Sequence, residues 1–258
     1  MRIFAVPAAF LLSCFLYPIF PKAVEYFERA LRALYGQTLR LFTRKNGSAD
    51  HAPALAMYLL LLCGVCMLLT AIHPLAGMIL MTPLFIGLSA LPACVSMEHE
   101  LDSGKYSNDI PTYEMLVRES CASVASAFVS GVIAPMLLCG VGMPLHIAAP
   151  VGYAYAALHA LAAENALAAK INQKLQRIAE QILIFFMTLC SGVKGRNPLN
   201  VRGKTAKSRL LSIVGIPGDG TDTHAPMAGD IAQAIFLCFF STMIFCFTLC
   251  AVGFTLCR

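Results

Sequence analysis

The sequence predicts an all-α integral membrane bundle of about five to six transmembrane helices, with one amphipathic helix lying at the interface. Three observations predict it. Of the 258 residues, 58% are hydrophobic and 13% are charged, about half the charge of an ordinary soluble domain. The apolar residues fall in runs as long as a bilayer is thick, with the charges gathered between them. Lysine and arginine are concentrated in two of those intervening segments, which sets an orientation. Few of the gaps are long enough for a soluble domain, so residues 1–258 read as a single membrane domain.

The first run is Ile3–Phe20. It follows Met1-Arg2 in the manner of a signal peptide, but no small-x-small cleavage site follows it, so it is expected to stay as an anchor. Leu11-Leu12-Ser13-Cys14 is similar to a lipoprotein processing site, yet Phe15-Leu16 comes next where a polar tether is needed. Pro21 then suits a helix start, and an amphipathic helix is expected over residues 21–43. Val24, Phe27, Leu31, Leu34 and Leu41 recur at the helical period as one apolar stripe, interrupted at Thr38. Glu25/Arg29 and Glu28/Arg32 are i,i+4 pairs in the favourable order on the other faces. Such a helix would lie in the membrane interface or pack on the bundle.

Further runs are Ala52–Ile72, Leu75–Val95 after His73-Pro74, Cys121–Val141, Leu145–Ala163 and Ile231–Cys257. Ile182–Cys190 is apolar but falls well short of the roughly 20 residues a crossing needs. It is expected to be a buried, re-entrant or interfacial helix end. The orientation rule agrees. One basic segment holds Lys22, Arg29, Arg32, Arg40, Arg44 and Lys45, and another holds Lys194, Arg196, Arg202, Lys204, Lys207 and Arg209. Six crossings that leave out Ile182–Cys190 bring both to one side. The loops expected at 96–120 and 191–230, and a helix with Lys170, Lys174 and Arg177, fall on that side as well. The N-terminus is then outside and the long polar segments are cytoplasmic.

All eleven cysteines lie in or beside apolar stretches, as small hydrophobes do, and not in the pattern of a disulfide framework. Cys63-Gly-Val-Cys66 has a redox spacing but no βαβ context. Inside the bilayer a polar group is costly, which draws notice to His159 and to Glu164-Asn165 at the end of the fifth run. These either face a cavity or, more simply, satisfy a neighbouring carbonyl and sit at the interface. Glu98-His99-Glu100 with Asp102 has the chemistry of a divalent-cation set, but residues adjacent in a loop read better as a solvated face, and no metal site is expected. Gly218-Asp-Gly-Thr-Asp-Thr-His224 is a turn-rich segment without the lysine of a P-loop, best read as a linker. The basic segment 194–209 serves topology, or meets an anionic ligand or lipid heads. It has no interleaved aromatics, so no nucleic acid partner is expected.

The segment Ala122–Pro135, ASVASAFVSGVIAP, resembles the signature E-S-x-A-E-N-x-x-D-G-V-I-A-P of the CobD/CbiB family of cobalamin-biosynthesis membrane proteins. Ser123, Ala125, Gly131, Val132, Ile133, Ala134 and Pro135 match it. Ala154–His159 is similar to the family's A-Y-R-A-V-N, and Lys174–Ala179 to its R-L-D-D-L-A. Tyr17-Pro18 and Phe27-Glu28 resemble an H-P motif and its L-E partner. The likeness runs in order along most of the chain. The signature's two Glu, its Asn and its Asp fall on Ala122, Ser126, Ala127 and Ser130, and the Asn of the second motif falls on His159.

What the resemblance implies is an adenosylcobinamide-phosphate synthase, an ATP-dependent ligase joining an aminopropanol unit to the carboxylate of adenosylcobyric acid. Its cofactors would be Mg²⁺ and ATP, and its partners a corrinoid, an amino alcohol and the lipid bilayer of the cell membrane. Candidate catalytic positions are Ser123, Ser126, Ser130 and His159. Candidate substrate-binding positions are Arg118, Gly131, Pro135 and Lys174. Because the signature's carboxylates are replaced, a second reading is a non-catalytic scaffold or sensor similar to AmpE. A third is a small transporter or its membrane subunit, with Pro83 and Pro135 breaking helices at mid-membrane.

Overall fold

A computed structural model of the chain describes residues 5–19, 22–43, 50–72, 79–85, 91–106, 109–139, 144–194, 205–216 and 225–256. Among them every regular element is helical. In chain order these are α1 (Ala5–Ile19), α2 (Lys22–Leu41), α3 (His51–Ile72), a 3₁₀ turn (Thr82–Leu84), α4 (Leu91–Asp102), α5 (Ile110–Phe128), a π turn (Val129–Ile133), α6 (Ala134–Cys139), α7 (Leu145–Ala160), α8 (Ala166–Cys190), a 3₁₀ turn (Ser191–Lys194), α9 (Ala206–Val214) and α10 (Gly229–Leu256). Among the described residues three helical stretches are long and apolar enough to cross a membrane: His51–Ile72, the continuous run Ile110–Cys139, and Gly229–Thr255. The all-helical class and the membrane placement are thus supported, while the finer expectation of five to six crossings is not reproduced by helix length alone.

The differences have physical causes. The run Leu75–Val95 is not one helix. A 3₁₀ turn carries Pro83, a residue without a donor for the ladder, and α4 starts at Leu91. Residues 96–120, expected as a loop, are mostly the end of α4 and the start of α5. Their charges sit on exposed and half-buried positions of helices. Ile182–Cys190 is the second half of the 25-residue α8, with Leu183, Met187 and Cys190 buried. The start Pro21, the basic residues Arg44 and Lys45, positions 195–204 and the turn-rich segment Gly218–His224 lie outside the described residues.

The chain divides into two compact units. The first comprises Met1–Ile86, Pro135–Gln176 and Leu249–Arg258. Its core sets α3 against α7, with α2 packed on both. Tyr35, Ala54, Leu55, Tyr58, Ala157, Leu158, Leu161 and Ala168 fill it. Tyr35 and Tyr58 meet edge to face, centroids 5.7 Å apart, and the Tyr58 hydroxyl donates to the Leu31 carbonyl at 3.0 Å. The small buried residues of α7, among them Ala149, Gly152, Ala156 and Ala160, let helix backbones come close, which is how helices associate in lipid. Gly152 needs its bareness: an added Cβ would stand 2.9 Å from Cys139 Sγ and still nearer Leu84 Cδ1. Also in this unit, Ser13 Oγ lies 2.6 Å from the Ala9 carbonyl of its own helix and 2.9 Å from the Thr82 carbonyl of the 3₁₀ turn, so its one proton is shared between them.

Helix α2 forms as its sequence predicts, and both ion pairs are present at 3.1 and 3.3 Å. Its buried stripe is rotated from the expected one. Leu31, Tyr35 and Thr38 are buried, while Leu34 and Leu41 are exposed. Thr38 can face inward because its hydroxyl donates to the Leu34 carbonyl at 3.0 Å, which removes the cost of burying it.

The second unit comprises Gly87–Ala134 and Arg177–Thr248. Here α5 packs on α9 and on α4. Asp109 caps α5 by accepting from the Thr112 N–H at 3.2 Å, with Pro111 in the first turn. Hydrogen bonds from Thr112 hold the Asp109 carboxyl below its usual pKa. At α9, Thr205 and Ser208 form a reciprocal capping box, and Glu180 Oε1 accepts from the Ala206 N–H at 2.8 Å. In the first turn of α10, Asp230 reaches back and accepts from the N–H of Met227, just before the helix, at 2.9 Å.

Candidate functional site

The signature-like segment runs from the end of α5 through the π turn into the first residues of α6. Arg118, Ala122, Ser126 and Ser130 recur every four residues and share one helix face. Arg118 stands 4.0 Å from Glu114, one turn earlier on the same face. Ser126 is exposed, and the Ser130 hydroxyl donates to the Ser126 carbonyl at 3.0 Å. Ser123 points elsewhere and is hydrogen-bonded to Cys94 of α4. From Gly131 to Pro135 every residue is buried. The helix widens just there, the Ala134 N–H reaching back five residues to the Val129 carbonyl. Pro135 has no N–H to donate and its ring crowds the preceding turn; a π turn ahead of it relieves both. Such turns recur at functional sites.

A different set of polar groups gathers in the first unit around His159. Its ring stacks on Tyr155 with centroids 6.1 Å apart. Its Nδ1 faces two amides of α8, Asn172 Nδ2 at 3.3 Å and Gln176 Nε2 at 3.4 Å. Glu28 is paired with Arg32, whose Nε donates to the Ala160 carbonyl at 3.2 Å and lies 4.0 Å from Glu164. Asn172 is only 6% exposed, and its Oδ1 has no hydrogen-bond partner.

The candidate residues therefore fall in two groups. Arg118, Ser123, Ser126, Ser130 and Gly131 belong to the second unit; Pro135, His159 and Lys174 belong to the first. Lys174 is exposed on α8 and takes no part in the His159 cluster as described. Asn165, expected with His159 as a cavity or interface residue, instead caps α8. Tyr155 and Glu28 enter the sequence reading only within motif likenesses, and Asn172, Gln176 and Arg32 are not singled out there as site residues. The available signal was Asn172 and Gln176 one turn apart on α8, with Tyr155 one turn before His159. Ordinary polar residues on a helix carry little weight until a partner helix is known.

Glu98, His99, Glu100 and Asp102 lie along the last turns of α4. Glu100 is paired with Lys105 at 2.8 Å, and that hydrogen bond, then the carboxylate's charge, raises the ammonium pKa. Cys63 donates to the Pro150 carbonyl at 3.6 Å, Cys66 is buried, and both are free thiols. Among the described residues no three His, Cys, Asp or Glu side chains converge as a metal site.

Magnesium and a nucleotide, implied by the resemblance, need carboxylate oxygens around a hard cation. The signature face offers Ser126 and Ser130, and the Ser130 hydroxyl proton is already directed at a backbone carbonyl. These residues do not fit a magnesium–phosphate clamp. The class of protein defined by the fold is a helical protein with, among the described residues, three stretches long and apolar enough to cross a bilayer. No family model, curated protein or solved structure matches the chain.

Proposed function

We propose that this chain is a multi-pass membrane protein of cobalamin synthesis, built on the CobD/CbiB scaffold, which engages the corrinoid or its amino alcohol without carrying out the ATP-dependent ligation. Five to six passes, with the basic segments on the cytoplasmic side, complete the reading. The observation that carries it is the overlap of the best-matching stretch, Gly131–Pro135, every residue of which is buried, with a π turn over Val129–Ile133 in a membrane-length helix. A specialised backbone kept at that place supports a retained scaffold. The serines where the signature has acids support loss of the magnesium chemistry.

Two experiments test it. The gene, expressed in a strain blocked at cobinamide amide formation, is expected not to restore growth without added cobinamide. The purified protein is expected to bind adenosylcobyric acid or an amino alcohol in detergent. Restored growth, or turnover with ATP and Mg²⁺, would show a ligase after all. Absence of binding to both compounds would remove the link to cobalamin.

A further inference from the structure

We propose that the outward face of α8 binds anionic phospholipid headgroups, with Lys170, Lys174 and Arg177 meeting the phosphates and Leu167, Ile171 and Ile178 entering the acyl boundary beside them. The proposal rests on the membrane placement of the chain and is independent of the corrinoid.

Helix α8 is continuous over Ala166–Cys190, with Ala168, Asn172, Ala179 and Leu183 buried along one side. On the side turned away from these, Leu167, Ile171, Lys174 and Ile178 recur at intervals of three and four, flanked by Lys170 and Arg177. All six are exposed. Large apolar side chains are disfavoured in water, while lysine and arginine are costly in the hydrocarbon itself. A face that carries both belongs at the level of the headgroups. There the leucine and isoleucines reach the acyl boundary, and the long lysine and arginine stems lie over apolar surface with their charges at the phosphates.

The charge on this face has one sign. The sole acid of α8 is Glu180, and its Oε1 accepts from the Ala206 N–H at 2.8 Å. Among the described residues none of Lys170, Lys174 and Arg177 is in an ion pair. The amphipathic α2 differs, since its Arg29 and Arg32 are matched within the helix by Glu25 and Glu28. Three unmatched cations within roughly 10 Å of helix select a negatively charged surface over a zwitterionic one. An acidic protein would answer the charge alone, whereas a lipid surface answers the charge and the apolar side chains together.

The chain has no tryptophan, so a single introduced one reports its own surroundings. Full-length Ile171→Trp is reconstituted in mixed phosphatidylcholine and phosphatidylglycerol vesicles in which one lipid or the other carries brominated chains, which quench tryptophan on contact. Leu60→Trp is the reference, being exposed on α3, a helix without lysine or arginine. Quenching is expected at both positions. At position 171 phosphatidylglycerol is expected to be enriched by up to about fivefold for each cation at the headgroups, and the enrichment to fall by about that factor when Lys174→Gln is added. It should also shrink at high salt, and at position 60 no enrichment is expected. If Ile171→Trp does not fold, Leu167→Trp takes its place. Quenching at 60 without quenching at 171 would overturn the proposal alone and would place water or an acidic protein on this face. Equal quenching by the two lipids at 171, or an enrichment unchanged by Lys174→Gln, would overturn it as well. No quenching at either position would remove the membrane placement together with the proposal.

Discussion

Replacing Asn165 by alanine tests how the first unit is held together. Asn165 is 4% exposed and uses both ends of its amide. Its Oδ1 accepts from the N–H groups of Leu167 and Ala168 at 3.0 and 3.1 Å, capping α8. Its Nδ2 donates to the Tyr35 hydroxyl at 2.9 Å, which in turn meets His51 Nδ1 at 3.2 Å. Loss of the cap costs about 1 kcal/mol, and loss of the buried bond to Tyr35 costs about another 1 kcal/mol. The total of about 2 kcal/mol corresponds to a fall of roughly 4–8 °C in Tm for a chain of this size. Buried free thiols, among them Cys66, Cys121, Cys139 and Cys238, provide the assay: a thiol-reactive fluorogenic dye in detergent reports their exposure on heating. Asn165→Ser retains a good capping oxygen but is too short to reach Tyr35, so it should lose about half as much. A Tm within about 1 °C of the parent for Asn165→Ala, or a serine variant as damaged as the alanine one, would refute the two-ended role.

Three further outcomes are expected. Gly152→Ala forces Leu84 and Cys139 to move and should destabilise by about 1–3 kcal/mol; thermal unfolding checks it, and an unchanged Tm would mean that α7 does not pack as described. Ser13→Ala removes the bond to the Thr82 carbonyl and should cost about 1 kcal/mol, seen as faster proteolysis near residues 79–85. Asp109 has its carboxyl pKa lowered by folding, so its contribution is full above the unfolded carboxylate value, about 4, and is lost as pH falls through the lower folded value. The stability difference between the parent and Asp109→Ala should accordingly shrink on acidification, measured by unfolding across pH 7 to 3; a difference independent of pH would contradict the cap.

Much of the architecture is legible in the sequence because burial in lipid demands long apolar runs. Ala52–Ile72 and Ile231–Cys257 anticipate α3 and α10 to within a few residues. The i,i+4 pairs of α2 are equally local and form as expected. What escaped depends on neighbours. The buried face of α2 turns toward Tyr35 and Thr38 because α3 supplies Tyr58 as an aromatic partner and the helix's own carbonyl satisfies Thr38. The start of α5 was hidden because Glu114, Arg118 and Glu119 suggested a solvated loop, although Asp109-Ile110-Pro111 is a helix-start pattern. The His159 cluster was half legible. The intramembrane histidine stands out by cost alone, while Asn172 and Gln176 gain meaning only once α7 and α8 lie side by side.

The central proposal is a membrane-spanning helical protein with its basic segments on the cytoplasmic side, and cysteine accessibility tests it most directly. Thr43→Cys, Ser103→Cys and Thr205→Cys place a thiol beside each long polar segment, with the parent chain as the blank for native thiols. In intact cells a membrane-impermeant maleimide should label none of the three above that blank, and should label all three once the membrane is permeabilised. Labelling of any one of them in intact cells would contradict the arrangement.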